Sequence, residues 1–493
     1  MQKINLIKEP IYLQKKSAFE FQIKAEEFTK NLEYAGIFHE QGLGKTKIAL
    51  DIILFWLSNK MIDTVLLVTK KGLITNWERE TKTHTFLKPK ILTQNSISNS
   101  YIYNSPTRLI FCHYEVIPTE IERLQLFCKT RNVAIILDEA AKIKNPNSNL
   151  TKSFFKISSY FQKRIIMTGT PVANRPFDIW ALIYFLDFGK SLGADFENFK
   201  STTDLSNELT YNETRKYEFE KSVSSIFNKI DSFCVRETKK GSAIDLPDKI
   251  YYRLECDWEY YQKDMYDQIR NELSLVVNKN GLLYEDDSSP VIKRLLRLIQ
   301  VTSNPGLIDN NYTNEPGKLM VLRNLVYQIT SNNEKVIIWT NFIDNIHFLS
   351  KELRDLEPLK IYGKMTMAER DRSIFDFLND ETKKVLIATP ASAKEGLTLT
   401  VANHAIYYDR NFSLDDYLQS QDRIHRISQK KTCFIYELIM RDSIDEWVDS
   451  LLESKHYAAQ LSQNDITLKE YETKADYQYA GIIKEILKGA QNE

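Results

Sequence analysis

The chain has 493 residues, 43% of them hydrophobic and 12% aromatic, with 66 Lys+Arg set against 66 Asp+Glu. That length accommodates two to four domains, and that apolar content builds cores, which excludes a disordered polypeptide. Zero net charge argues against a uniformly basic nucleic-acid coat, though not against a local basic groove. In chain order, the first ten residues (MQKINLIKEP) lack the apolar core and cleavage site of a secretory signal. A short apolar lead, Tyr34 to Phe38, runs into Gly42-Leu-Gly-Lys-Thr46, which opens an apolar helix from Ile48 to Leu57. This helix is the longest apolar stretch, is interrupted by Asp51, and falls well short of the about 20 residues that span a bilayer. Four β-branched runs follow: Thr64 to Val68, Arg108 to Cys112, Val133 to Leu137 and Arg164 to Met167. Continuous apolar runs separated by amphipathic segments predict buried parallel strands with crossover helices.

From about 188 to 330 helical patterns dominate, with turn-rich breaks at Asn278 to Pro290 and Ser303 to Gly317. A second strand series then appears: Lys335 to Trp339, Lys384 to Ala388, Ala405 to Tyr408 and Thr432 to Tyr436. The fold class expected is α/β, two parallel-sheet lobes with helical insertions at their junction. The first lobe is placed at 1–246 (insertion about 188–235) and the second at 247–455 (insertion and linker about 258–315). A helical tail follows at 456–493. Five scattered cysteines with no CxxC pair make a disulfide framework or a zinc site unexpected. Soluble, cytoplasmic placement is expected, in a nucleoid or a viral host's cytoplasm, with the nucleus left open.

Glycines converging backbone N–H groups, a helix N-terminus, a lysine and a hydroxyl are what a phosphate site needs. Gly42, Leu43, Gly44, Lys45 and Thr46 supply them, although His39 breaks the full GxxxxGK[ST] pattern. Lys45 suits the outer phosphates and Thr46 a magnesium ion. Asp138 and Glu139 directly follow the Val133–Leu137 strand. There, Asp138 suits Mg²⁺ and Glu139 the activation of a water; the plainer alternative is a solvated loop start. Arg423 and Arg426, three apart and on one face if helical, suit stabilisation of a transferred phosphoryl group; a charged surface helix is the alternative. Lys293, Arg294 and Arg297 on Val291–Gln300 read more readily as a solvated face than as a nucleic-acid stripe.

The ordered array of these segments, from about Gln22 to Lys455, resembles the Swi/Snf-type ATPases of helicase superfamily two. Glu40 to Thr46 is similar to that family's nucleotide loop, Leu66 to Glu80 to its next motif, and Asp138 to Asn145 to its magnesium motif. Thr168-Gly169-Thr170 through Asn174 resembles the motif linking ATP state to lobe movement. Leu246 to Lys249 and Gln262 to Tyr266 resemble the entry to lobe two, and Gly396 to Thr400 and Gln419 to Gln429 the last two motifs. The resemblance implies two RecA-like lobes closing on ATP and Mg²⁺. It implies that Gln22 reads the adenine edge beside Phe21, that Gly396 and Gln419 join the ATP cleft, and that Thr168, Gly169 and Thr170 couple hydrolysis to movement. It assigns nucleic-acid phosphate contacts to Lys70, Asn76, Tyr114, Thr398 and Thr400; Tyr114 and Asn76 read equally well as core or turn residues.

The chain departs from the family pattern at His39 (usually acidic), at Ala141 (commonly His) and at Ala393-Lys394 (a glycine pair). It departs again at Phe412-Ser413 (Trp-Asn) and Ser428 (Gly). Ala141 removes a polar link toward Thr168-Gly169-Thr170. The leading expectation is an ATP-driven translocase on double-stranded DNA that displaces bound proteins. The alternatives are a strand-separating DNA or RNA helicase and an ATP-gated clamp without turnover. With no recruiting domain in view, targeting is assigned to a separate protein partner or to the tail.

Overall fold

The computed structural model describes residues 10–474 except 173, 205–208, 210–211, 240, 243–245, 281–287, 394–396 and 427, and omits the side chains of 272–280, 288–294 and 393. Gly396, the side chains of Lys293 and Arg294, and the tail beyond 474 therefore lie outside the described residues.

Two compact units form. Of the described residues, the first holds those up to 204, from 212 to 242 and from 458 to 473; the second holds 209, those from 246 to 457 and 474. In the first, seven strands are β1 (Tyr34–Ile37), β2 (Thr64–Thr69), β3 (Lys90–Ile91), β4 (Leu109–His113), β5 (Val133–Asp138), β6 (Lys163–Met167) and β7 (Cys234–Val235). They lie in the order β3-β4-β2-β5-β6-β1-β7. The second unit's strands are β8 (Lys249–Cys256), β9 (Val336–Trp339), β10 (Leu359–Ile361), β11 (Val385–Ala388), β12 (His404–Tyr407) and β13 (Cys433–Met440), ordered β10-β11-β9-β12-β13-β8. Every pairing among the described residues is parallel. The α/β class with two parallel-sheet lobes is thus borne out.

The apolar runs are continuous because each sheet is covered on both faces. Alternate residues of one strand enter different cores: Leu66 and Val68 pack with Ile135 and Leu137, while Val65 and Leu67 pack with Ile136 and the helix Lys45–Ser58. The second unit repeats this, with Val336 and Ile338 on one side and Ile337 and Trp339 on the other. Four strands that the sequence pattern did not reveal, β3, β7, β8 and β10, occupy the four sheet edges. β3, β7 and β10 span only two or three residues each, and β8 is covered incompletely, leaving Tyr251 and Tyr252 exposed.

Register positions the chemistry. Ile37 pairs with Met167, and Met167 with Asp138. The carboxyl ends of β1, β6 and β5 therefore finish level. The loop before Lys45, the Thr168–Thr170 turn and Asp138-Glu139 all leave the same edge of the sheet, where open parallel sheets bind ligands.

Candidate nucleotide-binding site

The loop between β1 and the helix Lys45–Ser58 is held from several directions. Gly42 and Gly44 sit at φ 88° and 72°, the left-handed region that glycine enters without penalty. A Cβ on Gly44 would also come within 2.4 Å of Gln22 Nε2. Gln22 is buried, accepts the Phe19 N–H at 3.0 Å and donates to Leu43 O at 3.2 Å. One lone pair and one N–H of its amide remain available for an adenine edge. On the opposite side, Arg236 donates to Phe38 O at 2.9 Å while pairing with Asp465. The Glu40 carboxylate accepts the Lys239 N–H at 2.8 Å.

Lys45 is the first residue of its helix, and its Nζ donates to His39 O at 2.9 Å. An ammonium at a helix N-terminus beside convergent backbone N–H groups is an anion site. Thr46 follows, half-buried. His39 is 1% exposed, and burial together with the Lys45 charge pushes its imidazole from 6.5 down to about 4. Unfolded chains take up this proton below 6.5 and the folded protein only below about 4, so stability falls as pH drops through that window. The full loss is ~3 kcal/mol. Unfolding free energy measured between pH 7 and 5 is expected to fall less steeply in His39→Gln than in the wild type.

Asp138, at the end of β5, is gripped by three side chains from elsewhere. Trp77 Nε1 and Thr69 Oγ1 donate to its Oδ2 at 2.8 and 3.1 Å, and Tyr114 Oη donates to its backbone oxygen at 2.8 Å. Burial pushes the Asp138 carboxyl up to about 6, and the adjacent Glu139 adds to this. Trp77, Lys45 and Thr69 work against the rise. Among the described residues no cluster of three or more His, Cys, Asp or Glu side chains is arranged to hold a metal. One carboxylate and one hydroxyl nonetheless fit Mg²⁺, which characteristically takes one or two protein oxygens and completes its shell with phosphate and water.

Glu139 adopts φ 54°, ψ 47°, a left-handed conformation that a non-glycine residue holds only under constraint. Its Oε1 accepts from Gln41 Nε2 at 3.2 Å, and Lys70 Nζ stands 3.8 Å from its Oε2. The Thr168-Gly169-Thr170 turn packs on the same Gln41 side chain. Thr168 is buried, and its Oγ1 accepts the Thr170 N–H at 3.3 Å.

In the second unit the helix Leu414–Gln421 stops before the arginines, so the helical condition for a shared face is not met. The Arg423 carbonyl accepts from Leu399 N–H at 2.9 Å instead of continuing the helical ladder. Arg423 is buried, with Nη1 on Leu397 O at 3.3 Å. Arg426 is half-buried, with Nε on Asp422 O at 2.9 Å and Nη1 on Thr398 Oγ1 at 3.0 Å. Gln419 is buried and donates to Asp415 at 2.7 Å.

Of the residues assigned to nucleic acid, Tyr114 is corrected. Its ring is fully buried among core residues and its hydroxyl supports Asp138, so it presents nothing to a phosphate. Lys70 is a quarter exposed and turned to Glu139. Asn76 is half-buried and accepts from Arg79 at 2.6 Å. Thr398 is exposed; Thr400 is half-buried, 3.0 Å from Ser428 Oγ. Sequence reasoning missed the parts played by Gln41, Thr69 and Trp77. The available signal was a polar residue ending an apolar strand (Thr69) and another just ahead of the first loop glycine (Gln41).

A parallel sheet carrying a glycine-lysine loop and an acidic pair at level strand ends defines a nucleotide-binding α/β protein. Residues 22–307 match the SNF2-related domain and residues 317–428 the helicase conserved C-terminal domain. With well over half its length matched, the chain belongs to the SNF2-related family. It is 26% identical over 435 residues to an uncharacterized ATP-dependent helicase of Mycoplasma genitalium, covering 86% of this chain and 40% of that protein. It is 26% identical over 463 residues to the ISWI chromatin-remodeling complex ATPase ISW1 of Saccharomyces cerevisiae, covering 89% and 39%. The chain thus spans about two fifths of the length of these curated relatives. The SWI2/SNF2 ATPase core of Sulfolobus solfataricus in complex with dsDNA aligns at TM-score 0.43 and 24% identity, covering 96% of this chain and 99% of that one. Among the described residues, no helix is long and apolar enough to cross a membrane.

Proposed function

We propose that this chain is an ATP-driven translocase on double-stranded DNA, hydrolysing ATP to track along duplex and displace proteins bound to it. The observation that carries the reading is the meeting of three loops at the level ends of β1, β5 and β6, within a chain of the SNF2-related family. Lys45 and the helix N-terminus bind phosphate oxygens, and Gln22 and Leu43 close the loop against the base side. Asp138 and Thr46 hold Mg²⁺, which neutralises charge on the phosphates when bound. Glu139 orients the attacking water and accepts its proton. Arg423 and Arg426 stabilise the charge that develops on the transferred phosphoryl group, and Thr168, Gly169 and Thr170 relay the state of the site. Lys70, Asn76, Thr398 and Thr400 contact the nucleic-acid backbone, a mode that gives little sequence preference and strong salt dependence.

The chromatin-remodeling name of the Saccharomyces cerevisiae relative supports DNA as the polymer. Steady-state ATPase measured with duplex DNA, single-stranded DNA and RNA tests this choice. Duplex is expected to stimulate most, with the stimulation falling as salt rises. Stimulation by RNA alone contradicts the assignment and favours a strand-separating helicase. Binding of duplex with no turnover under any condition favours a clamp.

A further inference from the structure

The phosphate loop contributes a side chain that none of the roles above uses. Gln41 is 6% exposed and lies between the acidic pair and the turn after β6. Its Nε2–H donates to Glu139 Oε1 at 3.2 Å. On the other side it fills space that exists only because residue 169 has no side chain. A Cβ there would stand 2.6 Å from Gln41 Cγ, 2.8 Å from Cδ and 2.9 Å from Nε2, closer than real Cβ contacts come. We propose that Gln41 is a positioning residue for Glu139, fixing its carboxylate from the phosphate loop and bearing in turn on Gly169; this rests on the reading of Glu139 as the base.

The chemistry favours an amide in this place. A neutral N–H donor sets the direction of a carboxylate without supplying a full positive charge, which would lower the basicity the proton transfer needs. Lys70 is a cation, but 3.8 Å away and a quarter exposed, so it leaves the fixed bond to Gln41. Glu139 needs such a restraint, because its left-handed backbone persists only where the surroundings over-determine it. Residue 141 is alanine and carries no polar group toward the Thr168–Thr170 turn. Gln41 touches both Glu139 and that turn, so one side chain links the loop, the base and the relay.

The experiment measures kcat and KM for ATP separately, with nucleotide affinity read from a fluorescent ATP analogue. Gln41→Met keeps the length and removes the donor; Gln41→Glu keeps the shape and faces one carboxylate with another. Gln41→Met is expected to bind nucleotide within about twofold of the wild type, and Gln41→Glu, which adds a carboxylate to an anion site, to bind it more weakly. Gln41→Met is expected to lose about tenfold in kcat, the value of one hydrogen bond to a charged group, and Gln41→Glu to lose more. Gly169→Ala, which displaces the side chain without altering its amide, is expected to lower kcat comparably. Added to Gln41→Ala, the same methyl group is expected to cost nothing further, a non-additivity that also serves if Gln41→Met fails to fold. In a Glu139→Gln background, Gln41→Met is expected to have no additional effect. A kcat for Gln41→Met within twofold of the wild type, beside an inactive Glu139→Gln, overturns the role of Gln41 and leaves the base standing. Wild-type turnover in Glu139→Gln removes the base itself.

Discussion

Glu139→Gln is expected to bind ATP with near wild-type affinity and to lose at least about 10²-fold in turnover, the usual worth of a positioned general base. The substitution preserves volume and the left-handed backbone, so the loop at Glu139 and the bond pattern around Asp138 have no reason to rearrange. What disappears is the carboxylate that accepts a proton. Lys45 and the helix N-terminus stay in place and continue to bind phosphates, which is why binding and hydrolysis separate in this variant. Single-turnover hydrolysis, run beside equilibrium binding of a fluorescent ATP analogue, reads both quantities. Turnover at the wild-type rate would show that another group takes the proton.

Arg426→Ala is expected to produce the other large loss, of about 10³-fold or more in kcat, with ATP still bound. Its guanidinium is half-buried, with Nε on the Asp422 carbonyl and Nη1 on the Thr398 hydroxyl. These contacts orient the fork. Arg426→Lys is expected to recover little, since an ammonium lacks the planar, multi-donor geometry. Arg423 is fully buried and clasps the 397–399 segment through its side chain and its carbonyl, so its removal disturbs folding as well as chemistry. Arg426 is therefore the cleaner probe, and unchanged steady-state turnover in Arg426→Ala contradicts a catalytic part for this segment.

The sequence made the interior of the fold legible and its margins obscure, for one physical reason. Central strands such as Thr64–Thr69 and Val133–Asp138 are buried on both faces and read as unbroken apolar runs. β3, β7, β8 and β10 lie at the edges: the first two are two residues long and β10 three, too short to show a pattern, while partial exposure of β8 admits lysine, tyrosine and arginine. The same division holds in the candidate site. Lys45, Asp138 and Glu139 were readable because backbone geometry fixes a phosphate loop and a strand-end acid in a local pattern. Gln41, Thr69 and Trp77 act through partners 61 to 98 residues away, a relation no local spacing encodes. Tyr114 was misplaced on the nucleic-acid side because a tyrosine after a strand is equally at home in a core. Only the packing of the first unit decides that it supports Asp138. The arginine pair was spaced for a helix, yet the carbonyl of Arg423 is diverted to Leu399 and the helix ends at Gln421.

The measurement that bears most directly on ATP-driven tracking along duplex is release of a third strand from a DNA triplex, run beside a conventional unwinding assay. ATP-dependent release of the third strand is expected, abolished in Glu139→Gln, with the underlying duplex left paired. Separation of duplex strands, or no triplex release despite DNA-stimulated hydrolysis, would contradict such tracking.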